Sequence, residues 1–289
     1  QWDSMDPATF ERWLVADVFH DSQPGVNGCN GLEIIRTALQ KHWDLNLLPY
    51  QADCQRPFQD IWWPVRLELE HWLNHEISSD SEIGSAVFGD LADALLDRLC
   101  SIGETLLWDQ FRQGRSPGAM LLAHLGTDED GTGVPVRASY TQFVQRHRRD
   151  GLASLLNDHP MFGRLIGQVV NLWQIASLEL LERIGNDRPA LENTFGIPQT
   201  AQLMAVKQGL SDPHRGGRAV AILRFADSGN NTTLQVIYKP KDMGVDAAYQ
   251  TLLEDLNANS TLEPLRALAV HTGDGYGYME FVDHQHDPR

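Results

Sequence analysis

The hydrophobic pattern of this chain changes period once, near Phe195, and that change limits the folds open to it. Upstream, apolar residues recur at spacings of three and four, as on the buried face of a helix. Downstream, short runs alternate in the way of strands. Gly196, Ile197 and Pro198 stand at the break. The expectation is an α+β protein, with a helical region over residues 1–195 and a smaller lobe over 196–289 made of about five antiparallel strands and one helix.

Several helices are legible in the first region. Asp6-Pro7 opens one carrying Phe10, Leu14 and Val18, and a Gly/Asn loop over 25–31 separates it from a helix over 32–42. The helical pattern over 57–77 contains Pro64, which has no N–H to give, so that helix is expected to start near Pro64 with Ile61 to Trp63 leading in. Ile83, Val87, Leu91, Leu95, Leu99, Ile102 and Leu106 mark a long helix over 82–111. Residues 139–150 form a basic helix with Arg146, His147, Arg148 and Arg149, whose charges are expected to pair with acidic surface rather than bind phosphate. Pro160 opens the clearest helix, with Phe162, Ile166, Val169, Trp173, Leu180 and Ile184 on a core face until Gly185.

Composition excludes some functions. A formal charge of −16 disfavours a general nucleic-acid binder, which needs a positive field. No apolar run approaches the roughly 20 residues needed to span a bilayer. Cys29, Cys54 and Cys100 are odd in number and lack metal spacing, so they read as reduced thiols of a cytoplasmic protein. No metal site is expected: the acidic run over 127–133 lacks the full calcium-loop spacing, and the pairs His71/His75 and His284/His286 lack a third ligand.

The second region carries the chemistry. Its strands are expected over 202–208, 219–225, 233–239, 267–271 and 276–282, with a helix over 245–256 whose apolar side is Tyr249, Leu252, Leu253 and Leu256. Between the first two strands lies a polar glycine-rich loop containing Asp212, His214, Gly216, Gly217 and Arg218, and Lys239 closes the third strand. A glycine-rich loop can bring backbone N–H groups to phosphate oxygens, and a nearby lysine supplies a mobile point charge. The stretch is neither a Walker A loop nor a dinucleotide fingerprint.

Taken with the helix after strand three, this order is that of a protein-kinase small lobe. On that layout Lys239 neutralises nucleotide phosphates, Glu254 (with Asp255 as rival) holds the lysine, and Met279 to Val282 form a hinge in which Glu280 and Val282 meet the base. Gly216, Gly217 and Arg218 would complete the nucleotide site. Asp212 and His214 are unusual in such a loop. They would lie near the transferred phosphate, where the imidazole can act as a general acid or base.

Three segments, QGLSDPHRGGRAVAILRF, LQVIYKPKDMGVDAAYQTLLEDLN and GDGYGYMEFVDH, resemble the dehydratase domain of class II (LanM-type) lanthipeptide synthetases, and the helical stretch from Ser139 to about Ile184 is also similar. The resemblance implies a lipid-kinase-like lobe that uses ATP and Mg²⁺ to phosphorylate Ser and Thr of a precursor peptide. Phosphate elimination then leaves dehydroalanine and dehydrobutyrine. It further implies that Asp212, His214 and Lys239 handle phosphate, and that a separate cyclase domain with Zn²⁺ closes lanthionine rings. The family's large lobe and cyclase have no counterpart in these residues, so this stretch by itself is expected to lack phosphotransfer activity. A leader-peptide-binding or regulatory module without chemistry is the alternative from another class; a lipid or small-molecule kinase fits the motifs less well.

Overall fold

A computed structural model describes residues 31–49, 56–77, 82–114, 134–209, 211–213, 216–227, 232–261 and 263–283. The expected helix near Asp6, the acidic run over 127–133 and the pair His284/His286 lie outside the described residues, as do Cys29 and Cys54. The order is α1 (Gly31–Lys41), α2 (Gln59–Ile77), α3 (Ala86–Gln113), α4 (Val134–Arg149), α5 (Ala153–Asp158), α6 (Pro160–Asn186), α7 (Arg188–Phe195), β1 (Gln202–Lys207), β2 (Ala221–Asp227), β3 (Thr232–Lys239), α8 (Gly244–Asn259), β4 (Val270–Thr272) and β5 (Gly277–Glu280). The α+β expectation holds, with helices first and then a five-stranded antiparallel sheet.

The chain forms two compact units that do not divide at residue 195. One comprises Gln1–Glu68 and Leu95–Asn171, the other Leu69–Ala94 and Leu172–Arg289. The sheet's unit therefore includes the C-terminal half of α6, because side chains from that half bond to the strands.

In the first unit, α2 starts at Gln59 and carries Pro64 in its interior, five residues earlier than expected. Proline at 64 leaves the carbonyl of Asp60 without its helical N–H donor. Arg148 of α4 fills that vacancy: its Nε donates to the Asp60 carbonyl at 2.9 Å and its Nη2 donates there too, while Nη1 reaches the Leu45 carbonyl at 2.5 Å. The Asp60 carboxylate accepts from Leu48 N–H at 2.7 Å and from the Tyr140 hydroxyl at 2.9 Å. Arg148 and His147 of the basic helix are thus buried rather than paired across a surface. Arg146 and Arg149 remain exposed and lie over the rings of Phe143 and Trp43. Phe58 enters α2 at φ 58 and packs against Trp108, Phe111, Tyr140 and Phe143, with ring centroids 5.8 to 6.3 Å apart.

In the second unit the strand order is β1-β2-β3-β5-β4. Register pairs Leu223 with Val236, Ala221 with Tyr238 and Tyr238 with Tyr278, so these side chains share one face. All are buried, and that face carries the core of the unit with Phe225 and Leu203. Residues just before α3, expected to be helical, instead run extended: Ile83 bridges Leu203 in parallel, and Gly84 N–H donates to the Leu203 carbonyl at 2.8 Å. Arg188 of α7 braces the same edge. It donates to the Ala201 carbonyl at 2.9 Å, pairs with Glu82 at 3.0 Å and lies over the Phe225 ring. Among the described residues no helix is long and apolar enough to cross a membrane.

Candidate functional site

The face of the sheet opposite the core is only half covered. Ile222 and Ile237 are register partners on it, Met279 stands beside Ile237, and Lys239 follows two residues along β3. All four side chains are of intermediate exposure. Alternation forces this arrangement, because Tyr238 points into the core and its neighbours cannot. Gly277 pairs with Lys239, and the buried side chain of Met243 occupies the space a side chain there would need.

Lys239 Nζ lies 3.6 Å from Asp246 Oδ1 and 3.4 Å from Met279 Sδ. Asp246 stands in the first turn of α8, where a carboxylate is favoured by the helix dipole. Its other oxygen accepts from Lys241 Nζ at 2.8 Å, and that bond, with the charge of Lys239 added, lowers its pKa below the ordinary carboxylate value although partial burial opposes the change. The carboxylate facing the lysine is therefore Asp246. Glu254 and Asp255 are exposed farther along α8, two turns beyond the end that meets Lys239, and the expectation that Glu254 holds the lysine is corrected accordingly. Asp246 left a sequence signal: it is the acid in the first turn after the lysine strand.

The glycine-rich loop leads into β2 at the end of the sheet where Lys239 closes β3, since Ala221 pairs with Tyr238. Gly216 and Gly217 take φ of +81° and +88°, which glycine adopts without strain. A Cβ on Gly217 would stand 3.0 Å from Leu172 Cβ on α6, so the turn lies directly on that helix. Arg218 Nε donates to Glu179 Oε2 at 2.7 Å. Gly216, Gly217 and Arg218 are thereby set on α6, the helix that bonds Tyr238 on the core face, while Lys239 faces Asp246 on the other. Asp212 is exposed at the entry to the loop. His214 lies outside the described residues, so its pairing with Asp212 does too.

At the expected hinge, Glu280 is engaged by the fold. Its N–H donates to the Ala269 carbonyl at 2.9 Å, and its carboxylate accepts from Arg266 and from Ala269 N–H. Val282 follows beyond the end of β5 and is exposed. Ile222 and Ile237 were not singled out in the sequence, since two isoleucines in alternating strands look like any others until register pairs them.

The site combines an apolar strip with one tethered ammonium group. That mixture suits a ligand with a flat apolar part and an anionic part, such as an adenine nucleotide. For Mg²⁺ the described residues offer no group of three or more His, Cys, Asp or Glu placed to hold a metal ion, His71 and His75 included. Residues 159–287 match a family model described as a domain of unknown function (DUF4135). No curated protein matches the chain.

Proposed function

We propose that this chain is part of the dehydratase domain of a cytoplasmic lanthipeptide synthetase, which phosphorylates Ser and Thr of a precursor peptide and then eliminates the phosphate. The observation that carries the reading is Lys239, tethered to Asp246 beside the Ile222–Ile237 strip on the open face of a β1-β2-β3-β5-β4 sheet. ATP bound there supplies the phosphoryl group that turns a poor hydroxyl leaving group into a good one. Ile222, Ile237 and Met279 would take the base, excluding water from its faces. Lys239 would meet the phosphates; at 3.6 Å its tie to Asp246 is long enough for the ammonium to turn toward an anion. Phosphate departure needs cationic help, which the same lysine can give. Asp212 and His214 are proposed to move the protons, as general base and acid.

The test gives a full-length synthetase containing this chain a Ser/Thr/Cys-rich precursor peptide, ATP and Mg²⁺, and reads peptide mass. Wild type should remove water from the peptide, and Lys239→Met should slow that loss by about 10²–10³-fold. Equal water loss in both would remove Lys239 from the mechanism. The second reading, a peptide-binding module without chemistry, is favoured by the exposed apolar residues Val245, Tyr249, Leu252 and Leu256 along α8. It becomes the better one if neither protein changes the peptide and wild type still binds it.

A further inference from the structure

The C-terminal half of α6 carries Glu179 and Arg183, and Asp187 follows four residues on, just past the helix end, with its N–H donating to the Arg183 carbonyl at 2.9 Å, which keeps the three on one face. Glu179 stands between two guanidinium groups. Arg218 donates to its Oε2 through Nε at 2.7 Å and Nη2 at 2.5 Å, and Arg183 pairs with its Oε1. Arg183 is itself fixed: Nη1 donates to the Tyr238 hydroxyl at 2.6 Å, and the guanidinium lies 4.1 Å from the centroid of the Tyr276 ring. Asp187 accepts from the hydroxyls of Tyr276 at 2.8 Å and Tyr278 at 2.9 Å. A polar ladder therefore runs from the glycine-rich loop through α6 to β3 and β5. Its rung on β3 is Tyr238, the residue before Lys239.

The loop touches α6 at a second point, where Gly217 lies against Leu172. Leu172 and Glu179 are seven residues apart on one face, about 10 Å along the helix axis. The far ends of the loop are tied together as well, Val220 N–H donating to Ser211 Oγ at 3.3 Å.

We infer that Glu179 is a positioning residue for the glycine-rich loop: by holding Arg218 it fixes the Gly216–Gly217 turn relative to β3, and so relative to Lys239. The inference rests on reading the loop and Lys239 as phosphate-binding parts. A loop that is already ordered spends less of its binding free energy on ordering when an anion arrives. Two charge-assisted bonds to one carboxylate, only 20% exposed, are suited to that task where a solvated surface pair would not be.

The experiment measures two quantities on the whole chain: hydrogen exchange of the amides at 216–220, and affinity for ATP with Mg²⁺ by calorimetry. Glu179→Gln keeps the shape and removes the charge. It should speed exchange at 216–220 while leaving β3 and α8 as protected as in wild type, and raise the Kd for ATP about tenfold. Arg218→Met leaves the bonds of Arg183 to Tyr238 intact and should speed the same amides, which keeps the test decisive should Glu179→Gln disturb α6. The double variant should exchange no faster at 216–220 than either single one, because both remove one interaction. Unchanged exchange at 216–220 in both variants overturns the inference, and so does faster exchange with unaltered ATP affinity. If wild type does not bind ATP, the nucleotide reading fails by itself, and the exchange comparison still decides whether Glu179 holds the loop.

Discussion

His147 is buried against Phe143, with ring centroids 4.4 Å apart, and neither of its nitrogens has a hydrogen-bond partner among the described residues. Burial, and then the neighbouring charge of Arg146, pushes its pKa from 6.5 down to about 4, although Asp150 pulls the other way. The folded state thus binds this proton less readily than the unfolded chain. Stability from this group is fully present above pH 6.5 and is lost as pH falls toward 4, by a total on the order of 3 kcal/mol. His147→Phe keeps an aromatic ring in the site and has no proton to take up. Urea unfolding at pH 7 and at pH 4.5 should show a smaller loss of stability in the variant than in wild type. Equal losses would place the acid sensitivity elsewhere. Nothing in the run Arg146 to Arg149 marks which two of its four members go inside; that depends on which side of α4 meets α2.

At the scale of elements, α2 and α4 are joined by a compensation that neither sequence segment reveals alone. Pro64 removes a helical hydrogen bond, and Arg148, 84 positions later, supplies donors to the orphaned Asp60 carbonyl. Arg148→Met should cost about 2–4 kcal/mol, because the buried carbonyl of Asp60 and the part-buried carbonyl of Leu45 lose their donors. Adding Pro64→Ala restores an N–H for Asp60, so the double variant should recover about 1 kcal/mol relative to the sum of the single effects. Strict additivity in chemical denaturation would show that the two residues do not share this carbonyl. Helix existence was legible here from periodicity, whereas its start was not: the rule that proline ends a helix fails when a distant side chain replaces the missing bond.

For the whole molecule, the distribution of apolar side chains separates what is packed from what is displayed. Of the four residues expected on the apolar side of α8, Leu253 is buried, while Tyr249, Leu252 and Leu256 are about half exposed, and Val245 is 84% exposed. Removing such groups changes little of the buried area, so Leu252→Gln with Leu256→Gln should leave the unfolding free energy of this chain within about 0.5 kcal/mol of wild type. A loss of several kcal/mol would mean that the stripe is covered in solution. The same chain carries a formal charge of −16, and α8 itself contains acidic residues and no lysine or arginine.

Local pattern by itself determined the switch from helices to strands near Phe195, the order of the five strands with a helix after the third, and the lysine at the end of β3. These follow from spacings of a few residues, where backbone period and turn chemistry act directly. Only the tertiary structure decided which carboxylate meets Lys239, that Ile222 and Ile237 lie side by side, and that the glycine-rich loop rests on α6. Those facts depend on how α8 docks, on strand register and, for the loop, on side chains meeting across 39 residues of chain, as Arg218 meets Glu179. Charged residues on a helix look alike until packing selects the one that faces inward. Asp246 is chosen over Glu254 because the first turn of α8, and not its middle, ends beside β3.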